Sequence, residues 1–395
     1  MTTELDRWVR KQKIAVFHWT FERIGGGEIL ASYLGKALNC KVYCIGKSKL
    51  GFEDVTPYLP KYFRPFIRVM RKAEYLRNFE YLLWSSLDLE QIDDFDIIVT
   101  SGATPRAIVT PDYTMHVNYC HSPPRFLYDL WNFRRRVAKS SWRRFAINIL
   151  GEWMRIWDYA VDVRVDYYFV NSEIIKHRLK KYLKRDSEVL YPPIEWNKYK
   201  VDEPENYILF IGRLVKEKRV EESIKACIKA GKKIVVVGAG NLESELRKKY
   251  GSNNLVDIRG FVDEREKIEL LSRCKAVIYP AVAEDFGIVP IEALASGKPV
   301  IVDNTGFPPI LLNKTGFVEQ NGVFKICRGG IIARGDVANL ATAVKLLDKY
   351  SWDSEYLRNF AKQFDFEYFK FNLVLNLKIW KEKFDKFRFG EEVAL

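Results

Sequence analysis

Short apolar runs rich in β-branched residues recur along the chain, and helical stretches follow most of them. Residues 13–17, 41–45, 96–100, 115–119, 167–170 and 188–191 form one series; 207–211, 233–237, 275–281 and 298–302 form a second. Apolar runs of this length, bounded by turn signals, are the pattern of strands buried on both faces. Their alternation with helices predicts an α/β chain with parallel sheets, built twice over as two Rossmann-like domains. Residues 192–206 are polar and carry prolines, which marks a linker. The expected domains are therefore 1–195 and 206–365. The tail, 366–395, is rich in Phe, Trp and Lys and reads as helix, expected to pack back on the first domain.

Composition narrows the partners. The formal net charge of +13 favours anionic ones: nucleic acid, acidic lipid surfaces or phosphorylated small molecules. No RNA- or DNA-binding motif accompanies it, so nucleic acid is not expected. No apolar run approaches the roughly 20 residues that cross a bilayer. The opening MTTELDRWVRKQK lacks the apolar core of a signal peptide. A cytoplasmic location is expected, at most peripheral on the cytoplasmic membrane face. The six cysteines form no CxxC pair and read as scattered reduced thiols.

Several stretches carry candidate chemistry. Residues 18–27, HWTFERIGGG, join a strand to a helix of about 28–38. Glycines such as Gly26 and Gly27 let backbone amides approach a phosphate or sugar, although a tight turn without a ligand reads the same way. His121 ends a strand and precedes Pro123 and Pro124, a position suited to chemistry or to a histidine hydrogen-bonded within its loop. Residues 131–155 hold seven Lys or Arg and one Glu, with Trp131, Trp142 and Trp153 at intervals of eleven. That interval returns to nearly one helix angle, with Phe145, Ile149 and Ile156 on the same face. The segment is either a basic amphipathic helix on an anionic membrane or one packed by its tryptophans on the core, the reading favoured here.

The stretch 275–304 reads strand, loop, helix, strand. Pro290 suits the first helical position and Gly297 the left-handed residue after the helix. Glu284 falls in the loop and Glu292 in the helix's first turn. Open α/β sheets bind ligands at the carboxyl ends of their strands, where this loop lies. Two carboxylates at different levels suit the hydroxyls of a polyol, and Asp285-Phe286-Gly287-Ile288 offers backbone amides to the same ligand. Arg213 and Lys218 leave the strand at 207–211; together with a helix amino terminus they could neutralise a diphosphate, or be two of many surface cations. No HExxH, Cys/His cluster, GxSxG turn or GxxxxGK[ST] loop is present, which disfavours acyl transfer and P-loop phosphoryl transfer.

Glu284-x7-Glu292, within EDFGIVPIEALASGKPVI, resembles the signature of the family 4 glycosyltransferases. FIGRLVKEKR at 210–219 resembles that family's diphosphate-binding loop, and 236–248 and 258–281 resemble its donor domain. DYYFVNSEIIKHRL at 166–179 and VLYPPI at 189–194 resemble the end of its acceptor domain. YCHSPPRFLYD at 119–129 looks most like the mannosyltransferase branch. The resemblance implies the GT-B fold, two Rossmann-like domains with parallel sheets facing across a cleft. It implies transfer of a sugar, with mannose from GDP-mannose the favoured donor, to a glycan or lipid-linked acceptor. The anomeric configuration would be retained, with no metal and no cofactor beyond the nucleotide-sugar substrate.

By the same resemblance, Arg213 and Lys218 hold the diphosphate. Glu284 binds the donor sugar with backbone amides of Phe286 to Ile288, and Glu292 binds the ribose. Gly26 and Gly27 approach the phosphate and sugar, and His121 lies near the reacting centre. His121 and Glu284 are thus the catalytic candidates. The family's Gly-Gly-x-Pro-Glu turn is replaced by Asn304-Thr305-Gly306-Phe307-Pro308-Pro309, without the glutamate, and 313–334 looks expanded. Arg23-Ile24-Gly25-Gly26 differs from the Lys-x-Gly-Gly loop of glycogen and starch synthases. Two other readings stay open: a GT-B nucleotide-sugar epimerase or hydrolase, and a non-catalytic basic module for membranes or nucleic acid.

Overall fold

A computed structural model describes residues 2–19, 25–45, 49–55, 80–90, 92–132, 136 and 140–388. The chain divides into two compact units: one made of Met1–Tyr191 with Phe369–Leu395, the other of Pro192–Tyr368.

The first unit holds a parallel sheet of β1 (Ile14–His18), β2 (Lys41–Cys44), β3 (Glu53–Asp54), β4 (Ile97–Ser101), β5 (Met115–Cys120), β6 (Tyr167–Val170) and β7 (Glu188–Val189). Its order is β3-β2-β1-β4-β5-β6-β7. The apolar runs are buried because helices cover both faces of such a sheet. β1, β4 and β5 are buried at every position. The helices used below are α1 (Thr2–Lys11), α2 (Gly26–Leu38), α3 (Glu80–Ser85), α4 (Ser141–Asp162) and α5 (Glu173–Leu183). On one face Phe17 stacks on Tyr43 at 5.2 Å and meets Trp84 edge-on.

The second unit's sheet comprises β8 (Tyr207–Ile211), β9 (Lys233–Val237), β10 (Val256–Gly260), β11 (Ala276–Tyr279), β12 (Val300–Asp303), β13 (Phe317–Asn321), β14 (Phe324–Cys327) and β15 (Gly330–Ala333). Its order is β10-β9-β8-β11-β12-β15-β14-β13. Strands β8 to β12 and β15 pair in parallel, whereas β14 pairs antiparallel with both β13 and β15. The expanded segment 313–334 is thus a hairpin that widens the sheet at one edge. Its helices are α6 (Val220–Ala230), α7 (Glu243–Tyr250), α8 (Glu264–Arg273), α9 (Ile288–Ala295), α10 (Pro308–Lys314), α11 (Val337–Leu346) and α12 (Ser354–Ala361).

The first sheet's strand order reverses between β1 and β4, and the parallel part of the second reverses between β8 and β11. Ligand crevices of doubly wound sheets open at the carboxyl ends of such strand pairs. The last helix, α13 (Phe366–Arg388), begins in the second unit and continues into the first. There Trp380 stacks on Tyr167 at 4.9 Å, and Lys370 pairs with Asp6 of α1 at 2.8 Å.

Three expectations need correction. The favoured core packing of the tryptophans at 131–155 does not occur: Trp142 is 73% exposed and Trp153 49%. Nor do three tryptophans share one helical face. α4 starts only at Ser141, and Trp131 lies against Gly151 on another side of it, where Arg155 covers its ring at 4.3 Å. Arg134 and Arg135 lie outside the described residues. Pro290 is the third residue of α9 rather than the first, so Glu292 sits one turn in; Gly297 does adopt the left-handed conformation after the helix.

Candidate active site

In the second unit the sequence-predicted residues gather at the carboxyl ends of β8 and β11. Gly212 follows β8, and the loop from Arg213 ends in a short turn at Lys216–Lys218. Glu217 accepts the Val282 backbone N–H at 3.0 Å, which ties this loop to the one after β11. Lys218 then forms an ion pair with Glu284, and its Nζ also donates to the Tyr279 hydroxyl at 2.9 Å. Burial, followed by the charge of Glu284, pushes the Tyr279 phenol well above its ordinary range, so it stays neutral and serves as a hydrogen-bonding group. Arg213 is exposed nearby, with no side-chain ion pair among the described residues.

The loop carrying Glu284 is braced from the turn after β12. Asp303, 2% exposed, accepts from Arg219 Nη1 at 2.5 Å, from the Gly335 N–H at 2.9 Å and from the Thr305 N–H at 3.1 Å. The Thr305 hydroxyl in turn accepts the Ala283 N–H at 3.0 Å, and the Glu284 carbonyl accepts the Phe307 N–H at 2.8 Å. Phe286 is buried and stacks on Phe307 at 5.2 Å. Gly287 has φ +79 and immediately precedes α9; a Cβ there would come within 3.1 Å of the Tyr279 ring and 3.2 Å of Glu284 Cγ. Asn304–Pro309, the turn that departs from the family pattern, is therefore a structural partner of the Glu284 loop.

Glu292 is 5% exposed. Its Oε1 accepts from Lys267 Nζ of α8 at 2.8 Å and from the Tyr199 hydroxyl at 2.9 Å. Burial lowers the Lys267 pKa, but the neighbouring Glu292 and Glu264 more than offset it, leaving the ammonium firmly charged.

The first unit brings together the other predicted residues. α2 starts at Gly26, at the carboxyl end of β1, and the Glu28 side chain caps it by accepting the Gly25 N–H at 2.9 Å. A Cβ at Gly27 would lie 3.8 Å from the His121 ring and 3.6 Å from that of His18. Gly26 faces open space. His121 Nε2 lies 2.9 Å from the Ser101 hydroxyl at the end of β4, and the Asn171 amide donates to the His121 carbonyl. Desolvation lowers the His121 pKa to about 4, so at neutral pH this imidazole is uncharged although its edge reaches solvent. Arg23 and Ile24 lie outside the described residues.

Tyr279, Arg219, Asp303 and Thr305 were not singled out by sequence reasoning. Arg219 stands one residue beyond Lys218 in the same basic loop, and Tyr279 ends a recognised strand; position alone could have raised both. A DxD triplet, Asp94-Phe95-Asp96, also escaped notice. It lies at the amino end of β4, where Asp96 accepts the Lys13 N–H at 2.8 Å and Phe95 is core, so it is placed for folding rather than for the site. Among the described residues no group of three or more His, Cys, Asp and Glu side chains is arranged to hold a metal.

Two doubly wound sheets, each presenting loops at its switch point, define a GT-B protein. Residues 194–363, in the second unit, match the family model described as glycosyl transferases group 1. An uncharacterized glycosyltransferase of Methanocaldococcus jannaschii is 35% identical over 113 residues, 27% of this chain and 29% of the relative. The alpha-1,3/1,6-mannosyltransferase ALG2 of Dictyostelium discoideum is 26% identical over 249 residues, 51% of this chain and 57% of the relative. The matches thus span between under a third and somewhat over half of these relatives' lengths. Among solved structures, sucrose-phosphate synthase of Thermosynechococcus elongatus superposes with a TM-score of 0.66 at 16% identity, covering 93% of this chain and 98% of that one. Anabaena HepE in complex with UDP gives 0.62 at 15% identity, covering 93% and 99%.

Proposed function

We propose that the protein is a retaining glycosyltransferase that moves mannose from GDP-mannose to a glycan or lipid-linked acceptor. The observation that carries the transferase reading is Lys218, held with Glu284 and Tyr279 at the carboxyl ends of β8 and β11, beside the exposed Arg213. A diphosphate is a better partner for an ammonium and a guanidinium than one carboxylate is. On this reading the incoming diphosphate takes Lys218 from Glu284, and the released carboxylate accepts hydroxyl groups of the donor sugar. Binding and orientation of the sugar are thereby linked.

Glu292 has one oxygen committed to Lys267 and Tyr199, so the ribose hydroxyls fall to the other. The backbone amides of Phe286 to Ile288 open α9 and suit the charged end of the donor. The mechanism proposed is front-face substitution: the leaving phosphate accepts the acceptor's proton, while Arg213 and Lys218 stabilise its developing charge. His121, neutral at pH 7, is proposed to contact the sugar as a hydrogen-bonding group rather than as a cation. The mannose preference draws on the segment 119–129 and on the mannosyltransferase named among the relatives.

The test is a panel of labelled nucleotide sugars incubated with and without mannose-terminated lipid-linked acceptors. Acceptor-dependent transfer from GDP-mannose is expected. Transfer from a UDP-sugar alone would overturn the mannose assignment. Free sugar or an epimer as the only product would replace transfer by hydrolysis or epimerisation.

A further inference from the structure

The outer face of α4 is a feature that the transferase reading leaves unused. Helices on a protein surface ordinarily turn apolar residues inward and polar ones outward. α4 departs from this: besides Val161 and Trp157, which pack on the core, it turns a long apolar stripe outward. Its buried side carries two carboxylates. Asp158 accepts from the Tyr81 hydroxyl at 2.6 Å and from the Tyr128 hydroxyl at 2.7 Å. Asp162 accepts from the Tyr168 hydroxyl, and the buried Arg106 pairs with both acids. The outward side carries Trp142, Phe145, Ile149, Trp153 and Ile156, continued just past the helix by Val163. Their exposures run from 49% for Trp153 to 73% for Trp142. The stripe is about 30 Å long at the rise of an α-helix.

The polar network fixes the helix in rotation, so this face is not free to roll inward. Arg136 and Arg144 are exposed, and the segment 131–155 has seven cationic residues to one acidic. No described helix is long and apolar enough to cross a membrane.

We propose that α4 is a membrane-docking surface, lying in the interface of an anionic lipid leaflet with its apolar stripe among the acyl chains and its cations among the headgroups. Charge decides between this occupant and a second copy of the chain. Pairing two copies along this face would bring together two segments 131–155, each with seven cationic residues to one acidic, whereas anionic headgroups neutralise them. Tryptophan along the stripe suits the same boundary, where an apolar ring and a polar N–H are both accommodated. This surface belongs to the first unit and does not depend on which sugar, if any, is transferred.

The test uses the full chain in co-sedimentation with vesicles of phosphatidylcholine alone or mixed with phosphatidylglycerol. Binding to the mixed vesicles and little to phosphatidylcholine alone is expected. Ile149→Glu with Ile156→Glu should lower the bound fraction by roughly tenfold or more. Arg144→Glu should lower it less and reduce its sensitivity to salt. Brominated acyl chains should quench the wild-type tryptophan fluorescence, and Trp142→Phe should remove much of that quenching, a readout that does not require the double variant to fold. A wild-type protein that stays in the supernatant, or a folded double variant that pellets like wild type, overturns the proposal. So does a wild-type dimer in sedimentation velocity that the same double substitution dissociates, because the occupant would then be a second copy.

Discussion

At the scale of single residues, the second unit's site rests on one shared ammonium. On the proposed reading Glu284 and a diphosphate compete for Lys218, which leads to an asymmetric expectation. Glu284→Ala should lower turnover by about 10²–10³-fold, the scale of losing a preorganised polar contact. Nucleoside diphosphate affinity should be unchanged or a few-fold tighter, because Lys218 is released. Arg213→Ala with Lys218→Ala should instead weaken diphosphate binding. Calorimetry with GDP alongside turnover separates the two, and equal loss of affinity in both variants would contradict the division of roles. Glu284, Glu292, Arg213 and Lys218 were singled out by their charge, their place at strand ends and the family resemblance, and the pairing of Lys218 with Glu284 agrees with that grouping. Tyr199 and Asp303 were not, because each acts through a partner more than eighty residues away in sequence.

His116 offers a second test at this scale. Its ring is buried in β5, with Nδ1 donating to the Arg164 carbonyl at 3.0 Å and Nε2 3.0 Å from the Thr100 hydroxyl. Desolvation lowers its pKa to about 3, so the folded protein keeps it neutral where the unfolded chain protonates it near 6.5. The unfolded state then binds more protons as pH falls below 6.5, and stability is lost down to the folded pKa, at up to about 1.4 kcal/mol per pH unit. His116→Gln removes that contribution. The stability difference between wild type and variant should therefore shrink by about 2 kcal/mol between pH 8 and pH 5. Urea titrations at the two pH values measure it; a difference independent of pH would mean that His116 takes up its proton as readily in the folded state as in the unfolded one.

At the scale of elements, the strands were read more faithfully than the turns between them. β6, β8 and β9 match their expected spans because each is a short buried apolar run with a sharp polar or glycine boundary at its ends. The hairpin of β13 and β14 was not recognised as strand, since every residue of β13 is exposed and no apolar run betrays it. α4 was misjudged for a related reason: periodicity shows that a helix has an apolar face, but not which way the face points. The turn after β12 looked like a defect against the family pattern, yet it supports the Glu284 loop. Gly306 has φ +84, and a Cβ there would lie 2.5 Å from both the N and the O of Glu284. Gly306→Ala should therefore cost about 1–3 kcal/mol in strain. It should also displace the Glu284 backbone, and misplacement by about 1 Å costs on the order of 10²-fold in rate. Retention of GDP affinity alongside that loss would locate the damage at Glu284 rather than at the cations; unchanged turnover would show that the turn does not position the carboxylate.

At the scale of the whole molecule, the division into two units has an energetic consequence. Each unit has its own sheet and its own buried clusters, and the ion pairs of Arg106 with Asp158 and Asp162 lie wholly within the first. Removing one member of a buried pair leaves its partner's charge uncompensated, which costs about 3–5 kcal/mol. Asp158→Ala should therefore lower the melting of the first unit alone. GDP should act on the other half, because the proposed diphosphate residues Arg213 and Lys218 belong to the second unit; at a hundredfold excess over Kd it should stabilise that unit by about 2.7 kcal/mol. Calorimetric scans are expected to show two transitions, one lowered by Asp158→Ala and the other raised by GDP. A single transition moved equally by both perturbations would mean that the two units unfold as one cooperative body. If GDP raised the transition that Asp158→Ala lowers, its binding site would lie in the first unit, and the assignment of Arg213 and Lys218 would fail with it.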